Sequence, residues 1–219
     1  MNALGIETSS PVTSVALWRD GAAVAGEVSD SPRGHVEFLM PAIARLTPMA
    51  QIEAVAVGIG PGLFTSLRVG VVTAKTLALM LEVPLVGVCS LDALAQPHPG
   101  RVVACVDARR GEVFVASYAD GVRQDEPRAL PPGDVPEGLL VGNGHLAYPA
   151  ELGSRAAVSA VPTADAVVAL ALPRLERGEV EDALGLEPLY VRRSDAEIKW
   201  ETQGVTIERP MRVKFKGDS

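Results

Sequence analysis

Histidine is nearly absent from this 219-residue chain, which holds only His35, His98 and His145. None stands three or four residues from another, so no helical face can offer two imidazoles to one metal ion. Ser9, Ser10 and Ser90 have no evident base, which leaves a Ser-His-Asp hydrolase without support. Cysteine is equally scarce. Cys89 and Cys105 both sit in apolar, strand-like runs, and two such thiols fit a reducing compartment better than a disulfide framework. An excess of positive charge is missing as well: 20 Lys and Arg against 27 Asp and Glu give a net charge of −7. That balance argues against broad, non-specific nucleic-acid binding but not against a role in a complex that holds RNA elsewhere. The N-terminus runs directly into a strand pattern without a basic or apolar leader, and the most apolar helical stretch is interrupted by Arg68 and Lys75. No signal peptide or membrane span is expected, and the expected location is cytoplasmic.

What the chain does have is an internal echo. Residues 3–21 (ALGIETSSPVTSVALWRDG) align without a gap on 103–121 (VACVDARRGEVFVASYADG) at an offset of 100. In each copy an apolar strand ends in a carboxylate, Glu7 or Asp107, and a polar turn follows. A second strand then closes on Asp20-Gly21 or Asp120-Gly121, a hairpin turn signal. Downstream, AVAVGIG (54–60) and LLVGNG (139–144) both run an apolar strand into Gly-x-Gly. A repeat at fixed offset implies two similar units packed together.

The rest of the pattern alternates strands with helices. Strands are expected at 2–7, 12–18, 22–28, 54–58, 85–88, 102–107 and 139–142. Helices are expected at 35–47, kinked at Pro41, at 64–81, near 90–95 and at 164–177, the last finishing the second lobe. The division expected is an N-terminal lobe (1–101), a smaller C-terminal lobe (102–195) and a loose tail (196–219). At 47% hydrophobic residues and a mean hydropathy of +0.21, disorder is expected only in that tail.

The densest motif is GIGPGLFTSLRVG (58–70), where glycines and a proline join a strand to a helix. It can serve as a sharp turn with a cap, or as an anion site at the helix N-terminus beside Arg68. It is neither a Walker loop nor a dinucleotide fingerprint. The helix that follows carries two stripes. Leu67, Val71, Ala74, Ala78 and Leu81 form an apolar one; Ser66, Gly70, Thr73 and Leu77 form one of mostly small residues. A helix apolar nearly all round must be covered on nearly all sides, by helix 35–47 of the same chain or by a partner.

Strand–acid–turn–strand, repeated in two lobes, resembles the actin, Hsp70 and sugar-kinase architecture. The segment GPGLFTSLRVGVVTAKTLALMLEVPLVGVCSLDALA (60–95), with GIETSS (5–10), GHVEFLMPAI (34–43) and LEPLYVRR (186–193), resembles the TsaB (YeaZ) proteins of bacterial threonylcarbamoyladenosine tRNA modification. More distantly it resembles their catalytic paralogue TsaD. The resemblance implies an α/β, actin-like (RNase H-like) duplicated fold with two lobes of mixed sheet and flanking helices. Where the paralogue carries its metal-binding His-x-x-x-His, this chain has Ser90 and Leu94, so no metal site of that kind and no catalytic residue is expected. The function implied is that of a non-catalytic partner, or scaffold, of a TsaD-like subunit that transfers threonylcarbamoyl to the adenosine beside the tRNA anticodon. A TsaE-like ATPase is the expected third component, tRNA is met only through the complex, and the chain alone is expected to form a homodimer. The alternative is an autonomous ATP-dependent phosphotransferase or ATPase of the actin-like superfamily. A peptidase role, suggested by the paralogue's older name, is weaker still.

Two candidate sites follow. A nucleotide cleft would draw on Glu7, Thr8, Ser9, Asp107, Gly142 and Gly144. With Arg109 and Arg110 crowding the second turn, only weak ATP or ADP binding is expected there and no tight cofactor. Glu7 and Asp107 can face each other across the cleft or simply bond nearby turn amides. A partner interface would draw on Leu39, Ile43, Leu46, Ser66, Gly70, Thr73 and Leu77. On that assignment Gly70→Leu leaves the monomer folded and breaks the interface.

Overall fold

A computed structural model describes residues 1–31 and 34–192; the tail expected at 196–219 lies outside the described residues. Strands β1 (Asn2–Glu7), β2 (Thr13–Arg19) and β3 (Ala22–Ser29) form an antiparallel meander. β4 (Ala54–Gly60) adds parallel to β1, and β5 (Leu85–Cys89) adds parallel to β4, giving the order β3-β2-β1-β4-β5.

The second sheet repeats the plan. β6 (Arg101–Arg109) and β7 (Glu112–Ala119) pair antiparallel, β8 (Val122–Arg123) and β9 (Arg128–Leu130) pair with β7, and β10 (Leu139–Val141) lies parallel to β6. β11 (Ala157–Val158) completes it beside β10. The echo extends to single hydrogen bonds. Asp20 and Gly21 have φ of 51° and 80°; Asp120 and Gly121 have 49° and 78°. Paired left-handed residues are what a two-residue hairpin turn needs, and Asp-Gly supplies them at least cost. The Asp20 amide donates to the Met1 carbonyl and the Asp120 amide to the Gly100 carbonyl. The Asp20 carboxylate accepts from the Met1 amine, and that of Asp120 from the Gly100 amide.

The helices depart from the expected layout in three places. The stretch 35–47 is two helices, α1 (Gly34–Glu37) and α2 (Leu39–Leu46), broken at Phe38. Pro41 has no N–H to offer the Glu37 carbonyl one turn back. Next, α3 (Phe64–Leu81) buries Ser66, Gly70 and Leu77 along with Leu67, Val71, Ala74 and Ala78. The small-residue stripe therefore faces inward, with only Thr73 half-buried, because the β1–β2 turn lies on it. The Thr8 hydroxyl donates to the Ser66 carbonyl at 2.8 Å, and a Cβ at Gly70 would overlap the Thr8 side chain. Leu39 and Ile43 are fully buried in the same core and Leu46 is half-buried. Leu39, Ile43, Ser66, Gly70 and Leu77 thus belong to the core, and the assignment that left the small stripe free for a partner, with Gly70→Leu harmless, does not hold because both stripes are buried. By length and composition α3 is apolar enough to cross a bilayer, but here it lies on the first sheet against Leu4, Ile6, Val55 and Val57.

After β10 come two short helices, α5 (Gly144–Ala147) and α6 (Pro149–Leu152). The third departure concerns α7 (Ala164–Glu176), which returns to the first sheet instead of finishing the second lobe. Its Val167, Val168 and Ala171 pack on Ala3, Ala54, Ala56 and Val86. Gly5 permits the approach, since a Cβ there would sit 2.5 Å from the Ala164 carbonyl oxygen. The Ala164 amide donates to Ser14 Oγ at 2.9 Å, and Trp18 Nε1 donates to Asp165 at 2.7 Å. α7 also seals the outer edge of β5: Arg174 donates to the Gly87 carbonyl and to Glu181, whose carboxylate accepts from the Gly87 amide. Between the sheets, α4 (Ser90–Ala95) contributes Leu91, Leu94 and Ala95 to a core with Val102, Ala104 and Tyr118.

Candidate functional site

The ends of β1, β4 and β6 converge on a crevice between the sheets, lined by Ser9, Ser10, Pro61, Gly62, Asp107, Arg109 and Asn143 among others. Its volume is about 30 Å³, the space of one or two waters, against the ~300–1,000 Å³ of ordinary ligand pockets.

Glu7 is not in it. The carboxyl is fully buried beneath the crevice, accepting from the Ser9 amide and, at 2.8 Å, from Ser90 Oγ. Ser90 Oγ in turn accepts from the Gly60 amide at 3.1 Å. Removal from water raises the Glu7 pKa; the hydrogen bonds from Ser9 and Ser90 pull the other way without cancelling it. Gly58 is required beside it, since a Cβ there would overlap the carboxylate. Glu7 thus ties the β1–β2 turn to the loop before α3. Thr8 is likewise buried, on Ser66.

Asp107 does reach the crevice. Its Oδ1 accepts from the Arg109 amide at 2.8 Å and from the Tyr148 hydroxyl at 3.1 Å, and its Oδ2 pairs with Arg109 at 3.2 Å. The Asp107 amide donates to Asn143 Oδ1 at 2.9 Å. Burial, and then the bond to Asp107, raise the Tyr148 pKa. Both hairpin acids therefore bond turn amides, and of the two only Asp107 faces the crevice. Gly142 and Gly144 serve packing: a Cβ at either would collide with Cys105. Of the six residues proposed for the cleft, Ser9 and Asp107 line it; Glu7, Thr8, Gly142 and Gly144 do not. Arg109 and Asn143 do, and Asn143 was signalled only by its position between two glycines.

Ser90 and Leu94 are fully buried, one on Glu7 and one in the inter-sheet core. Among the described residues no group of three His, Cys, Asp or Glu side chains could share a metal ion. His35 pairs with the Thr13 hydroxyl at 2.6 Å and His145 with that of Ser159 at 3.1 Å, and burial lowers the His35 pKa. Burial pushes the Cys89 and Cys105 thiols up to about 11 and about 12, so neither is a thiolate near neutral pH.

A family model for tRNA N6-adenosine threonylcarbamoyltransferase (TsaD) matches residues 29–129. Over 225 aligned residues the chain is 32% identical to the Escherichia coli tRNA threonylcarbamoyladenosine biosynthesis protein TsaB, covering 90% of this chain and 96% of that protein. The chain belongs to the TsaB family. An uncharacterised Mycobacterium tuberculosis protein is 36% identical, covering 88% of this chain and 92% of its own length. A solved structure of YeaZ from Pseudomonas aeruginosa superposes with a TM-score of 0.78 at 29% identity, covering 86% of this chain and 99% of that one. With the two echoed sheets, this likeness gives the TsaB-family chain the duplicated, actin-like α/β fold expected from its repeat.

Proposed function

We propose that this chain acts in the biosynthesis of threonylcarbamoyladenosine in tRNA as the non-catalytic partner of a TsaD-like subunit. The observation that carries the reading is an uncovered apolar surface on the helices. Val36 of α1, Met40 of α2, and Val72, Leu79 and Met80 of α3 are between 43% and 77% exposed, although α1 and α3 touch. Large apolar side chains grouped in this way mark a contact surface. The interface thus keeps to the helices named from the sequence but uses their opposite faces. The TsaD-like subunit is the occupant that the family supports, with a TsaE-like ATPase joining the assembly and tRNA reached through it. In its absence a second copy would cover the same face. The expected location is the cytoplasm.

An autonomous ATPase would need space for a nucleotide, and the crevice offers little while Arg109 pairs with Asp107 inside it. Weak ATP or ADP binding would require the two sheets to part.

The experiment is a Val72→Glu, Leu79→Glu double variant, co-expressed with the host's TsaD-like protein. Both positions are exposed, so the melting temperature should stay within a few degrees of the parent. Co-purification and threonylcarbamoyl transfer to tRNA should fall at least tenfold, and any homodimer should become monomer in light scattering. A folded variant that still binds and supports transfer at the parental level refutes the scaffold reading.

A further inference from the structure

The two exposed aromatic side chains among the described residues, Phe64 and Tyr190, touch each other. Their centroids are 5.1 Å apart with the planes inclined at 33°. The Arg68 guanidinium sits 4.0 Å from the Phe64 centroid, and its Nε donates to the Tyr190 hydroxyl at 3.0 Å. Phe64 and Arg68 are one turn apart on α3, but Tyr190 arrives from the far end of the described chain. Its segment is fastened there: Lys75 Nζ donates to the Leu184 and Leu186 carbonyls at 3.1 and 2.9 Å, and the Leu189 amide to the Ile59 carbonyl at 2.7 Å.

Core packing does not account for this cluster, since Phe64 is 37% and Tyr190 42% exposed. Nor does charge pairing, because among the described residues Arg68 meets no carboxylate. No acid occurs between 60 and 81, and among the described residues no side chain caps the first amides of α3. Glu187, also exposed, is the acid nearest Tyr190 in sequence. In a chain of net charge −7, a cation, two aromatic rings and the start of a helix without a side-chain cap are thus found together. Stacking surfaces beside a cation and N–H donors suit an unpaired nucleobase with its phosphate, because every base has a π-face and each linkage a negative charge. The apolar stripe of Val72, Leu79 and Met80 suits a protein; the cluster continues that face toward the start of α3 and adds a cation and a second ring to it.

We propose that Phe64, Arg68 and Tyr190 form a platform on which an unpaired base of an RNA loop stacks, so that this subunit touches tRNA directly while its partner does the chemistry. The proposal rests on the tRNA-modification reading above.

The test uses the complex with the TsaD-like subunit and two fluorescent RNAs of equal length: an anticodon stem-loop, and a hairpin whose loop is minimal. Phe64→Leu, Tyr190→Leu and Arg68→Gln are compared by anisotropy at low salt. Each should weaken stem-loop binding about five- to tenfold, in the range of one lost stacking contact, and leave the short hairpin nearly unchanged. Co-purification of the partner should be unaffected. Equal affinities for parent and variants overturn the platform, as does equal loss on both RNAs, which would mean charge attraction alone. Lost co-purification makes the cluster a protein contact and overturns it too. If one variant melts lower, the other two decide between these outcomes, each removing a different member of the cluster. A parent complex that neither binds nor modifies tRNA would instead sink the function proposed above.

Discussion

Gly70→Ala is the sharpest probe of this fold, because two physical arguments predict opposite signs. On an open helix face, alanine for glycine stabilises by about 1 kcal/mol through backbone propensity. Here the added Cβ falls inside van der Waals contact of Thr8 Oγ1, 3.2 Å from its Cγ2 and 3.3 Å from its Cβ. Thr8 is fully buried and its hydroxyl is committed to the Ser66 carbonyl. Relieving the overlap by shifting the β1–β2 turn costs about 1–3 kcal/mol, and a displaced hydroxyl forfeits roughly 1 kcal/mol more. After the propensity gain, the net is a loss of about 1–3 kcal/mol, or roughly 2–4 °C of melting temperature for each kcal/mol in a chain of this size. Urea unfolding followed by circular dichroism measures it. A cycle with Thr8→Ala isolates the cause. That change removes Oγ1 and Cγ2, so the double variant should recover about 1–2 kcal/mol relative to the sum of the singles. The bond to Ser66 is lost in both single variants but only once in the double, so up to about 1 kcal/mol of that recovery comes from the bond and the rest from the relieved overlap. Stabilisation by Gly70→Ala, or a coupling near zero, would show that this face is open and refute the inward stripe.

Glu7→Gln tests the buried carboxyl. With its folded pKa raised above the unfolded one, the native state holds the proton more tightly. Its stabilising share is therefore complete at acid pH and is lost as pH rises through the folded value. Glutamine can place its amide toward Ser90, whose hydroxyl can turn to accept. The variant should lie within about 1 kcal/mol of the parent at pH 4.5 and gain on it by pH 8; a parent that gains instead would mean the hydrogen bonds outweigh burial. Arg174→Ala should cost about 1–2 kcal/mol by opening the edge of β5, with faster hydrogen exchange at the Gly87 amide that Glu181 accepts from. Unchanged exchange there would mean the clamp contributes nothing.

Features that depend on near neighbours are legible in the chain alone. Asp20-Gly21 and Asp120-Gly121 specify two-residue hairpins because their left-handed preference is local. Apolar runs ending in Glu7 and Asp107 mark both hairpins, and the 100-residue offset between them carries the duplication. Pro41 announced a break in its helix for an equally local reason, a missing donor. Which side of an element faces inward was a different matter. α3 carries an apolar stripe and a stripe of mostly small residues, and nothing within eighteen residues says that both are buried. The small stripe is covered by Thr8, 58 positions from Ser66, and Leu39 and Ile43 of α2 join the same core. The placement of α7 depended on Gly5 and Ser14, some 150 positions away, which let its first turn dock on the first sheet. The same limit applied to the candidate cleft. A carboxylate at a strand end looks the same in sequence whether it lines a crevice, as Asp107 does, or lies beneath it like Glu7. Only the tertiary structure, through desolvation and the reach of Ser90, separates the two. It also brought Tyr190 onto Phe64 and Arg68, a neighbourhood no local pattern encodes, because it is set by the fastening of the 184–189 segment across the end of the first sheet.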